Sequence, residues 1–561
     1  MSFRKVLAIC LIFTPILFFG YLFQKYAINI PHWDDLAVRN TIADYLKTDS
    51  FIEKIRILFS QHNEHRIVLT RIFALLIYAT QGFLDLKTLM IFGNLSLVGL
   101  LFIFYKNLQR SYTGPLALVP VAFLIFNIGL YENVFWGMAS VQNFWVILLA
   151  SACFYLLVHS FGKPNNVFFY LALLLSFTGT FTSSNGILIP LIGIGILAFQ
   201  RRNRELIVWS VAVASFLFLY FFDYHKVPDT NLKADFSDKS LLVKGLFAVL
   251  GNAVDVSFIA PSRHLDISMA TGVIITILAA MFAYQVLFKR YDLSQRNNDL
   301  FLLACLAFLV ITCVGIVVGR IAYGIEVLLT SKYKINSVLI LVICYIILLR
   351  SVPEWRQKNM ITFAIILSIL FNGFTYLADL PSVRYLRHER ITDQFKIQHS
   401  DKEMPTQGIY AKLQRPEQTF YDALMPVLLG KQDSVKAPVN IQENETGFII
   451  SYANNNSSLD ISSADAGQYT LLRSSENIYM FPDRIVTPNA LRIKDYLNFG
   501  FLVKNQLKVN SFVSEFTKFY VRSGRYQLGF IRQENNQSHV TWTNQSIDIK
   551  TVQKEKPKQN W

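Results

Sequence analysis

The sequence predicts an α-helical polytopic membrane protein, with about 11 transmembrane helices plus interfacial helices and a C-terminal extracytoplasmic, β-rich domain. Three observations predict it. Of the 561 residues 53% are hydrophobic and 14% aromatic, and the mean hydropathy of +0.36 exceeds what a soluble core requires. Apolar runs close to the roughly 20 residues that cross a bilayer recur along the first two-thirds of the chain and stop near residue 379. Short Lys/Arg clusters sit beside those runs, which fits membrane topology and anionic lipid better than nucleic acid as the reason for a net charge of +15.

The runs lie near 6–24, 88–105, 115–130, 143–160, 166–182, 185–199, 206–222, 271–288, 299–318, 335–349 and 359–378. The first follows Arg4 and Lys5 with no small-x-small cleavage site behind it, so it is expected to remain as a helix. All five cysteines (Cys10, Cys153, Cys305, Cys313, Cys344) fall inside apolar runs, which argues for burial rather than a disulfide framework. The stretch Ile67 to Phe83 is apolar too, but Arg66 and Arg71 lie in or against it. Placing it in the outer interface puts Lys106/Arg110, Lys163, Arg201/Arg202/Arg204, Lys289/Arg290/Arg296 and Arg350/Arg356/Lys358 on one side with Arg4/Lys5. The N-terminus is then cytoplasmic, and segments 25–87, 131–142, 223–270 and 319–334 face outward.

After residue 379 the composition changes. Polar runs such as Tyr452 to Ser458 separate short, partly alternating stretches, Thr446 to Tyr452 and Tyr526 to Ile531, which read as strands and turns. The division is therefore a membrane domain over 1–380 and a C-terminal domain over 381–561, with disorder expected in the last dozen residues around Lys554 to Lys558.

Four outward features carry possible chemistry. Pro31-His32-Trp33-Asp34-Asp35 follows the first span directly. Neighbouring helical residues point about 100° apart, so one acid faces a cavity and the other caps, pairs or meets water; equally, either one N-caps a helix Leu36 to Leu46. Gln61-His62-Asn63-Glu64-His65-Arg66 precedes an apolar helix, and helical spacing would put Glu64 and Arg71 on one face. Tyr131-Glu132-Asn133, flanked by Trp136 and Trp145, places a further acid near the same surface. Gly319-Arg320 and Thr330-Ser331-Lys332-Tyr333-Lys334 bring cations to the outer leaflet, where the topology rule disfavours them; an anionic ligand such as a lipid phosphate fits, as do ordinary headgroups. Arg263-His264 is a weaker feature of the same kind. No phosphate-binding Gly-rich loop, His-Glu-x-x-His or Ser nucleophile elbow is present.

In order and sidedness these motifs resemble the GT-C superfamily of polytopic glycosyltransferases, which includes protein O-mannosyltransferases and lipid A aminoarabinose transferases. The residues that carry the resemblance are Asp34-Asp35, Asn63-Glu64-His65-Arg66, Gly319-Arg320 and Ser331-Lys332-Tyr333, over roughly residues 1–380. The resemblance implies a sugar moved from a polyprenyl-phosphate-linked donor to an envelope glycan, lipid or protein acceptor at the outer face of a bacterial cytoplasmic membrane. It implies Asp34, or less well Asp35, as general base. Glu64, His65 and Arg66 would orient sugar or acceptor, and Arg320 and Lys332 would meet the donor phosphate; Glu132 and Tyr333 are further substrate-binding candidates. Metal use stays open, because members with and without a divalent ion exist. Three other readings remain: a lipid-linked sugar transporter or flippase, an O-antigen polymerase or ligase, and a membrane-anchored binding or sensor protein.

Overall fold

The computed structural model describes residues 3–111, 114–161, 166–225, 238–256, 263–288, 293–400, 408–430, 434–436, 439–453, 459–460, 463–485, 508–509, 511–534 and 537–550. Lys163, Lys289, Arg290, the polar run 454–458 and the charged end 554–558 lie outside the described residues. The chain divides into two compact units: one of Met1–Phe23, Asn40–Gln81 and Lys87–Asp379, the other of Gln24–Arg39, Gly82–Leu86 and Leu380–Trp561. The expected division at residue 380 follows composition alone; by packing, the second unit also takes the segment that carries Asp34 and Asp35.

The first unit is helical. Among the described residues, eight helices are long and apolar enough to cross a membrane: Phe3–Tyr26, Leu86–Gln109, Gly137–His159, Asn203–Phe221, His264–Phe288, Gln295–Tyr323, Ser331–Ser351 and Glu354–His399, the last continuing into the second unit. Pro115–Ile125 and Ile128–Val134, bent by 41° at Phe126-Asn127, make a ninth span if counted together. Every predicted run is helical, but Val167–Thr180 and Ser184–Phe199 are shorter apolar helices, separated where Ser183-Ser184-Asn185-Gly186 interrupts the apolar sequence. Ile207, Phe218, Phe288 and Phe363 are each at least 66% exposed on these helices, as lipid-facing residues would be. Cys10 corrects the expectation that all five cysteines are buried: it is exposed, because only 28% of the first helix is covered by protein.

Small residues set the closest helix approach in this unit. A Cβ on Gly251 would stand 1.9 Å from the Ser268 carbonyl oxygen, and one on Gly272 would stand 2.0 Å from that of Phe247. The helices Lys239–Gly251 and His264–Phe288 therefore meet backbone to backbone, as small residues permit between membrane helices.

The second unit carries the β-structure. A four-stranded sheet has the order Val439–Glu443, Gly447–Ala453, Ser511–Thr517, Arg484–Ile485, and a five-stranded sheet the order Ser434–Val435, Gln537–Ile549, Gly524–Glu534, Gly467–Arg473, Ile478–Pro482. Alternation brings Phe448 and Ile450 of the first sheet against Leu472, Leu528 and Phe530 of the second in one core cluster. A second cluster joins Tyr469, Leu471, Ile531 and Trp542 to Ile391 and Phe395 of the long helix and to Ile28 and Ile30, the residues just after the first span. Those two isoleucines anchor the Pro31 to Asp35 segment to the second unit.

One core carboxyl gives this unit a pH dependence. Burial pushes Asp483 up from an ordinary 3.8 to about 6, although Thr470 donates to it at 2.7 Å. The folded state thus holds a proton that the unfolded chain releases earlier. Its favourable contribution is complete below about pH 4 and is lost as pH rises to about 6, a change of about 3 kcal/mol. Asp483→Asn should flatten the dependence of the unit's unfolding midpoint between pH 4 and 6, read by fluorescence of the buried Trp542; an unchanged slope would show that this carboxyl is not its source.

Candidate functional site

In the first unit the polar stretch 61–66 forms a hairpin, not the opening of a helix. Gln61 pairs with Arg66 and His62 with His65, leaving Asn63-Glu64 as a two-residue turn. Asn63 takes φ +48, a left-handed conformation that Asn tolerates better than most residues. The helix Val68–Gln81 starts only afterwards, so the expected helical alignment of Glu64 with Arg71 does not occur.

The two arginines act on backbone. Arg66, 5% exposed, donates to the carbonyls of Tyr220 at 2.6 Å, Phe59 and Phe222, tying the hairpin to the end of the helix Asn203–Phe221. Arg71 Nη1 donates to Ile57, Leu58 and Ser60 at 3.2, 2.9 and 2.6 Å, closing the C-terminal end of the amphipathic helix Phe51–Phe59. His65 Nδ1 accepts from the Ser184 amide at 3.1 Å. Glu64, by contrast, projects exposed from the turn.

Glu64 has a cationic neighbour. Arg320 ends the helix Leu293–Arg320, donates to the Tyr333 hydroxyl, and lies within electrostatic reach of the Glu64 carboxylate. The Arg320 guanidinium at a helix C-terminus thus feels both a carboxylate on a hairpin tip and a phenol in the first turn of Ser331–Ser351, residues far apart in sequence. Lys332 places its Nζ 5.2 Å from the Tyr333 ring centroid. Glu132 caps that helix, since the Lys332 amide donates to its Oε2 at 2.8 Å while Asn133 donates to the Lys332 carbonyl at 2.8 Å.

Next to this group stand further charges, of which the sequence reading named Lys334 and His264 but neither Asp255 nor Asp379. Lys334, 4% exposed, donates to the Asp255 carbonyl at 2.8 Å, and the Asp255 carboxylate lies 2.5 Å from His264 Nδ1. Asp379 is 7% exposed, feels the Lys334 charge, and its Oδ2 has no hydrogen-bond partner. Their signal was position: Lys334 and Asp379 each sit at the end of an apolar run, where a charge must find a partner.

The second unit contains the paired acids, and it separates them. Asp35 is fully buried; its Oδ2 accepts the His32 amide at 3.1 Å while its own amide donates to the His32 carbonyl at 3.0 Å, which closes the turn that precedes the helix. The helix runs Asp35–Lys47. Trp33 between them is held at φ +44, unusual for a bulky residue, with its ring 58% exposed and stacked 5.3 Å from His32. Asp34 follows Trp33 in this turn and is half-buried.

Behind Asp35 lies Arg390, 1% exposed, within electrostatic reach of Asp35, Glu389 and Asp393, and with Nε and Nη2 lacking hydrogen-bond partners. His32 Nδ1 is 3.7 Å from Asp393 Oδ2. No protein-family model, no curated protein and no solved structure matches this chain. Glu389, Arg390 and Asp393 were missed in the sequence, although the charge-dense run Arg387 to Asp393 directly after the last apolar stretch could have marked them. Among the described residues, no group of three or more His, Cys, Asp or Glu side chains could hold a metal ion.

Two placements follow from this geometry. Asp35, Arg66 and Glu132 are engaged with backbone groups, the first two of them buried. Asp34, Glu64, Arg320, Lys332 and Tyr333 keep polar surface that a substrate could use.

Proposed function

We propose that this protein is a membrane glycosyltransferase that moves a sugar from a polyprenyl-phosphate-linked donor to an envelope glycan, lipid or protein on the outer face of a bacterial cytoplasmic membrane. The observation that carries the reading is the grouping of Glu64, Arg320 and Tyr333. A guanidinium beside a phenol and a carboxylate, at the end of a membrane-length helix, offers what a departing lipid phosphate and a sugar hydroxyl each need.

The proposed chemistry is one displacement. A carboxylate takes the proton from the acceptor hydroxyl, the acceptor oxygen bonds to the anomeric carbon, and the bond from that carbon to the lipid phosphate oxygen breaks; Asp34 is the candidate for that base by its place in the sequence alone. The phosphate leaves with both electrons, and Arg320, with Lys332, meets its growing negative charge. Glu64 and Tyr333 orient the sugar hydroxyls. Such a displacement inverts the anomeric centre.

The test uses the full chain in liposomes with radiolabelled polyprenyl-phosphate sugars and extracted envelope acceptors, the sugar being chosen from the glycan lost in a deletion strain. Arg320→Ala should raise KM for the donor by about tenfold or more, and Arg320→Lys should recover part of that loss. No transfer by the wild-type chain, together with an unaltered envelope in the deletion strain, would end the reading. Transport of lipid-linked sugars is a second reading, favoured by the bent pair Pro115–Ile125 and Ile128–Val134; it predicts no sugar transfer by the wild-type chain in this assay.

A further inference from the structure

The second unit contains a groove of about 540 Å3 at one end of the five-stranded sheet, and all ten of its lining residues are polar. A break in strand register builds it. Gln527 pairs with Ser546 and Gly529 with Trp542, so Thr543, Asn544 and Gln545 all stand opposite Leu528 alone. Bulges of this kind re-aim side chains, and here the extra residues turn polar groups into the groove.

Hydrogen bonds fix the floor. Arg473 lies 3.9 Å from the Trp542 ring centroid, donates to the carbonyls of Leu428 and Gly430 at 3.0 and 2.8 Å, and donates to Gln527 Oε1 at 3.0 Å. Gln527 Nε2 donates to the Thr543 carbonyl at 3.2 Å, and the Thr543 hydroxyl to the Leu528 carbonyl at 2.9 Å. The rim is open: Asn544 and Ser546 are exposed, and Arg525 donates from Nε to Ser546 at 3.1 Å, leaving its two Nη groups to solvent. Its distance to the exposed Asp548 is 4.0 Å, a surface pair of small energetic weight.

The lining selects a ligand class. With no apolar residue in its lining, it offers a lipid or an apolar peptide side chain little to bury. Ser434–Val435 already pairs with the long strand at Trp542 and Thr543, so that edge is closed to an added peptide strand. No aromatic face lines it for a nucleobase to stack on. Hydroxyl, amide and guanidinium groups on a pre-ordered floor match a polyhydroxylated ligand, and arginine is the only charged residue type in the lining. We propose that this groove is a binding site for an acidic saccharide. The proposal stands apart from sugar transfer: it needs neither donor nor catalysis.

The test is saturation-transfer NMR of the full-length protein in lipid nanodiscs, with trigalacturonic acid as probe, maltotriose as its neutral counterpart and empty nanodiscs subtracted. Trigalacturonic acid should bind saturably, and Arg525→Ala and Asn544→Ala should each weaken it, the former by about tenfold or more. Both positions are exposed, so the thermal midpoint should not move. Maltotriose should bind at least about tenfold more weakly. Arg522→Ala, at an exposed position outside the groove, should leave binding intact. Absence of saturable binding, equal binding of maltotriose, or equal loss in Arg522→Ala and Arg525→Ala would each overturn the proposal.

Discussion

Replacement of Asp35 by alanine is expected to unfold part of the protein, not to slow a reaction. Asp35 is fully buried, accepts the His32 amide, and stands within reach of the buried Arg390 guanidinium. Its removal takes away the acceptor that closes the His32 turn and leaves a cation with less compensation in the interior. Breaking a buried pair from one side costs about 3–5 kcal/mol, and the lost hydrogen bond adds about 1 kcal/mol. That is a large part of what holds a domain together. Asp35→Ala should therefore accumulate poorly in membranes and expose the second unit to protease, while Asp35→Asn, which keeps an acceptor oxygen for His32, should fall between it and the wild type. Wild-type accumulation and protease resistance in Asp35→Ala would remove the structural role assigned to this acid.

Asp34, one residue earlier, should give the opposite pattern. It is half-buried and follows a tryptophan held in a left-handed turn. As general base it would contribute about 10^2–10^4-fold to transfer. Asp34→Ala should lower transfer from a polyprenyl-phosphate sugar by that factor with membrane levels and protease resistance unchanged. Transfer at the wild-type rate in this variant would refute the assignment, and a loss of protein in parallel with activity would make Asp34 another structural acid. The two substitutions together separate the roles of adjacent carboxylates that composition cannot distinguish.

Much of the helical plan was legible in the sequence, because burying an apolar run in lipid or protein requires its backbone to bond within the segment, and length then speaks for itself. The β-rich character of the tail was legible for a similar reason: Thr446 to Tyr452 and Tyr526 to Ile531 partly alternate with period two, and all but Thr446 lie in the strands Gly447–Ala453 and Gly524–Glu534. Helix length at Val167–Thr180 and Ser184–Phe199 was not, since a break at Ser183 to Gly186 is a matter of local backbone choice within a mostly apolar background. Nor was the hairpin at 61–66, where one left-handed Asn63 decides between a turn and a helix.

The candidate site divides along the same line. The sequence by itself determined which residue types stand at the ends of the apolar runs: acids at 34, 35, 64 and 132, cations at 66, 320 and 332. Only the tertiary structure decided what each one faces. Arg66 and Arg320 are the same side chain beside similar apolar runs, yet one is turned onto three carbonyls and buried while the other meets a phenol and a carboxylate. Asp34 and Asp35 differ by one position, yet the first stays half-buried in the turn before the helix while the second, opening the helix, is fully buried. Local sequence fixes the energetic need of a charged group near a membrane for a partner; long-range packing chooses the partner, because residues hundreds of positions apart supply it.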